Sequence, residues 1–156
     1  MAEQERRSHD EIMGDDVEAE ITAAGKGSAV YHESDVKTLR NERDARTKTV
    51  LVSRDLVPNA EELLVDVVTY GPNVEIPRHY HEDSKHFFYV LEGSGYVEIE
   101  GEEFAVDAGS IIWVGEGDVH KVYTSDDQRM KILEYFSNND HTATRVEGEG
   151  HTWTAE

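Results

Sequence analysis

Four histidines between positions 79 and 120 are the residues of this chain best suited to do chemistry: His79, His81, His86 and His120. Neutral imidazole is a borderline donor that suits iron(II), nickel, copper and zinc and, less tightly, manganese. In a β-strand, residues i and i+2 point to one face. His79-Tyr80-His81 therefore turns two imidazoles to the same side, about 7 Å apart at Cα, a spacing that can converge on one ion. The polar segment Glu82-Asp83-Ser84-Lys85 then turns the chain, and a hairpin here returns His86 beside that face as a third ligand. His120, after Gly115-Glu116-Gly117-Asp118, opens another strand and offers a fourth. The expected cofactor is one divalent transition metal: Fe, Ni, Zn, Mn or Cu. His9, His32, His141 and His151 lie in polar, unpatterned stretches and read as solvent-exposed.

These imidazoles must be positioned by strands. Short runs rich in branched and aromatic residues span 47–53, 62–70, 86–92, 95–100, 110–114, 119–124 and 130–136. Between them, Glu92-Gly93-Ser94-Gly95, Glu100-Gly101, Asp107-Ala108-Gly109 and Gly115-Glu116-Gly117-Asp118 read as tight turns, so successive strands are mostly antiparallel neighbours. With no sustained amphipathic helix, the pattern predicts an all-β sandwich or small barrel. Residues 1–28 read as a polar acidic extension with a short helix near Asp15 to Ala24, ending at a flexible Gly25-Lys26-Gly27-Ser28; residues 29–137 form the barrel domain and 138–156 a peripheral C-terminal tail.

Composition narrows the classes of function. The 156 residues suit one domain, and the absence of cysteine removes disulfides, thiolate catalysis and iron–sulfur clusters. Thirty-four acidic against 15 basic residues give a formal charge of −19, which repels phosphate backbones and anionic membrane faces, so neither nucleic acid nor membrane is an expected partner. The acidity reads as a solubility feature, compatible with a salt-adapted host. The amino-terminal residues resemble neither a signal nor a transit peptide, and no apolar run approaches the roughly 20 residues of a membrane helix, so a cytoplasmic location is expected.

The stretch Gly71-Pro72-Asn73-Val74-Glu75-Ile76-Pro77-Arg78-His79-Tyr80-His81, continued by His86 to Gly93, resembles the first motif of the cupin superfamily. Gly101 to Gly109, through Trp113 to His120, resembles the second. The resemblance covers residues 47–136 and implies a cupin-type β-barrel, a double-stranded β-helix or jelly roll, with a metal held by His79, His81 and His120. Two positions depart from the family: His86 stands where a glutamate is usual, and Gly115 where a proline is usual. If His86 ligates, four neutral donors leave the ion its full charge, which favours Lewis-acid work on an enol, enolate or carbonyl oxygen. If it does not, three histidines and open positions remain, with Glu75 or Glu82 as supporting acids.

Parity places His86, Phe88 and Val90 on one face and His120, Val122 and Thr124 on another, so Phe88 and Val122 are expected in the substrate pocket. Phe87, Tyr89 and Leu91 then face outward, and a strand apolar on both sides predicts a homodimer. Arg78 and Lys121 are the basic residues near the motifs that could hold a single carboxylate or enolate, although Arg78 alternates away from His79. The resulting expectation is a mononuclear metal-dependent enzyme acting on an enolisable or phenolic small molecule, foremost a dioxygenase. The alternatives are a redox-neutral cyclase or isomerase of polyketide-cyclase type and a non-catalytic binding module.

Overall fold

The computed structural model describes residues 5–7, 21–57, 59–148 and 153–155. Its strands are β1 (Glu5–Arg7), β2 (Thr22–Ala24), β3 (Ser28–Val30), β4 (Thr38–Asn41), β5 (Arg46–Val52), β6 (Leu64–Tyr70), β7 (His79–Tyr80), β8 (His86–Ile99), β9 (Glu102–Asp107), β10 (Ile111–Val114), β11 (His120–Tyr123), β12 (Met130–Phe136), β13 (Ala143–Arg145) and β14 (Trp153–Ala155). Apart from one 3-10 turn at Glu33–Asp35, the described residues contain no helix. All but β2 and β3 belong to one curled antiparallel sheet, ordered β1-β13-β7-β11-β8-β12-β6-β5-β4-β14, with β9 and β10 also pairing β8. The all-β architecture expected from the turn-punctuated sequence is the one observed.

Alternation drives the curl. Along β12 every second residue, Met130, Ile132, Glu134 and Phe136, is buried, and β6 buries Leu64, Asp66, Val68 and Tyr70 in the same sense. The concave faces meet in a core that includes Val68, Val74, Ile76, Phe88, Val90, Val97, Val122 and Ile132. A second cluster packs Val36, Val50, Leu56, Leu64 and Phe136 beneath Ile21, Tyr31 and Val57.

Three expectations need correction. Glu92 to Gly95 is not a turn: β8 runs unbroken for 14 residues. Its first half pairs β10 and β12 and its second half β9 and β11, so one strand serves both walls. The bend falls at Gly93, whose φ is +79°; a Cβ there would lie 1.8 Å from the Arg129 carbonyl oxygen, and the partner strand shifts register between Lys131 and Ile132. Glycines read as a hairpin signal thus serve a bulged corner. Thr22–Ala24, expected at the end of a helix, is a strand paired with Ser28–Val30 across the glycine-rich turn; the remainder of that expected helix, 15–20, lies outside the described residues. His79-Tyr80-His81 and His86 do not form a hairpin, because β7 pairs β11 and β13.

Candidate metal centre

β7 and β11 set the first two imidazoles. His79 and His120 are directly opposed across this antiparallel pair, which brings their ring centroids to 4.3 Å. His81, just past β7, places its ring 5.0 Å from His79 and 5.4 Å from His120. One potential ligand atom from each of the three lies within 4.8 Å of the others. Hydrogen bonding settles which nitrogen is available. Nδ1 of His79 faces the Pro77 carbonyl at 2.8 Å, that of His81 the Thr142 carbonyl at 2.7 Å and that of His120 the Asp118 carbonyl at 2.9 Å. A carbonyl only accepts, so each Nδ1 carries the proton and Nε2 keeps its lone pair. The buried Nε2 atoms of His81 and His120 have no hydrogen-bond partner among the described residues. Burial lowers the pKa of His79; burial and the neighbouring imidazoles hold His81 and His120 well below the usual histidine value. Neutral rings with fixed tautomers and, at His81 and His120, lone pairs without a partner among the described residues are a donor set that fits a divalent transition ion.

His86 opens β8 opposite Val114 and Phe136. Its ring stacks on Phe136 at 3.9 Å and tilts against Phe88 at 4.0 Å; it lies 5.4 Å from His81 and 5.6 Å from His120, outside the 4.8 Å group. Both ring nitrogens are buried and without a hydrogen-bond partner among the described residues. Curvature of the sheet, rather than a hairpin, brings this imidazole to the others.

The anchoring of His81 was not foreseen. Thr142, whose carbonyl receives its Nδ1–H, donates both its backbone N–H and its hydroxyl to Asp83, each at 3.0 Å. Asp83 holds the supporting position expected of Glu75 or Glu82; Glu75 instead accepts from Lys121 Nζ at 2.7 Å, and Glu82 is exposed. Arg78 is committed to Glu98 and Glu147, so neither basic residue near the motifs reaches the site. His141, read from its polar surroundings as exposed, is wholly buried: its ring stacks on Phe136 at 3.9 Å and stands 5.3 Å from His81, because the chain after β12 folds back over the site. His32 is exposed; His9 and His151 lie outside the described residues.

These rings line one end of a cavity of about 90 Å³, with Val68, Ile76, Phe88, Val122 and Phe136 along its walls. Four charged residues, Arg46, Lys48, Asp66 and Glu134, each less than a tenth exposed, line it too, beside Tyr70 and Trp153. Arg46 forms a bidentate pair with Asp44 at 2.8 Å, and Lys48 Nζ lies 4.0 Å from the Trp153 ring centroid. A signal for this group exists in the sequence: in LVDVVTY and MKILEYF the acid falls on the apolar, inward parity. Trp153 comes from the tail read as peripheral; β14 pairs β4, and the ring is buried.

The family model for the cupin domain matches residues 66–136, which run from within β6 to the end of β12 and include all four motif histidines. This barrel has the cupin fold. Among solved structures, the cupin fold here is similar to the polyketide cyclase RemF from Streptomyces resistomycificus, with a TM-score of 0.65 at 24% identity over 77% of this chain and 86% of that one. It is also similar to a predicted oxalate decarboxylase from Thermotoga maritima, with a TM-score of 0.61 at 17% identity over 70% of this chain and 98% of that one. An uncharacterised protein of Aquifex aeolicus is 29% identical over 66% of this chain and 81% of its own length. No helix of the described residues is long and apolar enough to cross a membrane.

Proposed function

We propose that this cupin is a mononuclear metal-dependent enzyme of the cytoplasm that binds an enolisable or phenolic small molecule through oxygen. The observation that carries this reading is the convergence of the His79, His81 and His120 rings, each with Nδ1 tied to a carbonyl, at one end of an apolar-walled cavity. His86 joins as the fourth ligand; its two buried nitrogens, without a hydrogen-bond partner among the described residues, support that role. A divalent ion held by neutral imidazoles alone supplies an electrophilic seat for an anionic oxygen. The chain's own residues provide the rest. Phe88, Val122 and Phe136 exclude water from the ligand's carbon skeleton, and the carbonyls of Pro77, Thr142 and Asp118 hold the rings in the ligating tautomer.

Two branches of chemistry follow from the same seat. A dioxygenase would consume O₂ with iron; a redox-neutral cyclase or isomerase would act with zinc or nickel, a branch supported by the polyketide cyclase that shares the fold. Elemental analysis combined with O₂ uptake over a panel of 1,3-diketones and catechols separates them. One metal per chain with O₂ consumption supports the first, substrate conversion without O₂ the second, and protein that takes up no metal under supplementation refutes both.

A homodimer belongs to the same proposal. The outer face of the β8–β10 pair leaves Tyr89 and Leu91 more than a third exposed and Ile111 and Trp113 more than half exposed, side chains that a second copy would cover.

A further inference from the structure

The buried carboxyls of Asp66 and Glu134 are not explained by metal binding. They stand directly opposite each other on β6 and β12, where side chains are nearest neighbours, and both line the cavity. Glu134 is also paired with Phe88, two residues from His86 on the same face, so the carboxyl pair lies one inward row, about 7 Å along the strands, from His86. Neither oxygen of Asp66, which is fully buried, receives a hydrogen bond from an amide, amine or hydroxyl among the described residues. The side chain directly opposite it is Glu134, and one carboxyl can bond to another only when a proton lies between them. Burial pushes Asp66 up to about 6, against the pull of Glu134 and Lys48, and Glu134 well above the usual carboxylate range. Burial pulls Lys48 down to about 7. The charged and titratable groups around the pair are Lys48 and Arg46 on β5 and Tyr70 on β6, with Arg145, His79, His81, His86, His120 and His141 lining the same cavity.

We propose that Asp66 and Glu134 share one proton and are the proton-transfer group of this site, moving a proton between oxygen and carbon of a ligand whose oxygen is seated at the imidazole cluster. This rests on the proposed metal centre and specifies its chemistry as enol–keto interconversion, a step that needs no oxidant. For an enol, the O–H bond breaks and its proton passes to the ionised carboxylate, while the protonated carboxyl gives its proton to carbon to form the C–H bond. The pair ends with the single proton it began with, and no electron leaves the ligand. One acid and one base set side by side, with opposite protonation states at neutral pH, suit this exchange.

The test uses the full chain loaded with zinc and acetylacetone as probe, diluted as its enol into buffer while the enol absorbance decays. Wild type is expected to accelerate ketonisation. E134Q and D66N are expected to lower that rate roughly 10²-fold or more, with zinc content and probe affinity within about threefold of wild type. Independently of turnover, carbon-13 NMR of Asp- and Glu-labelled metal-free wild type is expected to show one carboxyl still protonated at pH 7. Unaltered ketonisation in E134Q, probe binding without acceleration in wild type, or two carboxyls that both ionise below about pH 5 would each overturn the proton-transfer role while leaving the metal centre standing. A wild-type protein that binds neither zinc nor the probe overturns the metal centre and this role with it.

Discussion

Replacing Asp83 by alanine should weaken the metal centre without touching a ligand. Of the three Nδ1 anchors, those of His79 and His120 come from carbonyls two residues away, fixed by the local backbone; that of His81 comes from Thr142, 61 residues along the chain. Thr142 is held by two hydrogen bonds to the Asp83 carboxylate, each at 3.0 Å. Their loss frees the Thr142 carbonyl, and with it the tautomer and orientation of the His81 ligand. Outer-shell losses of this kind cost about 10–100-fold in metal affinity. The assay is chemical unfolding with and without zinc. At free zinc 100 times the wild-type Kd, binding stabilises wild type by about 2.7 kcal/mol; a 10–100-fold weaker variant gains only about 1.4 to 0.4 kcal/mol. Asp83→Ala also lowers metal-free stability, by about 1–2 kcal/mol for the lost bonds to a partly buried carboxylate, so the zinc-induced increment is the quantity to compare. An increment equal to that of wild type would refute the anchoring role of Asp83.

Three further outcomes are expected. His86→Ala should lower zinc affinity by at least 10–100-fold, and His86→Glu should restore binding with an altered metal preference; a full zinc complement and unchanged affinity in His86→Ala would establish a three-histidine site. In the metal-free protein the folded pKa values of His79, His81, His86 and His120 lie below the unfolded value near 6.5, so the native state binds fewer protons and stability falls as pH drops below about 6.5. Asp66 and Glu134, shifted upward, act with the opposite sign, and His86→Phe isolates one imidazole: the slope between pH 6.5 and 5.5 should become shallower by up to about 1.4 kcal/mol per unit, and urea unfolding at the two pH values measures it. Sedimentation at micromolar concentration should give a dimer for wild type and a monomer for Ile111→Glu with Trp113→Glu; a monomeric wild type would refute the proposed interface.

What the sequence alone determined was local or periodic. The alternation of MKILEYF delimits β12 to the residue, His79-Tyr80-His81 puts two imidazoles near one another by strand geometry, and the resemblance to the cupin motifs points to the barrel fold. Contacts across the chain were decided by the tertiary structure. Gly93 looks like a turn residue because glycine allows positive φ, but whether that φ closes a hairpin or bends a 14-residue strand depends on the strands that pair on either side. His141 sits among polar residues in sequence and is buried in space, since the chain after β12 returns over the cavity and brings it against Phe136 and His81. Asp66 and Glu134, 68 positions apart, become a carboxyl pair only through the β6–β12 register. Parity shows that each faces inward; only pairing shows that they face each other, and an acid's chemistry in a low-dielectric cavity is set by the charge beside it.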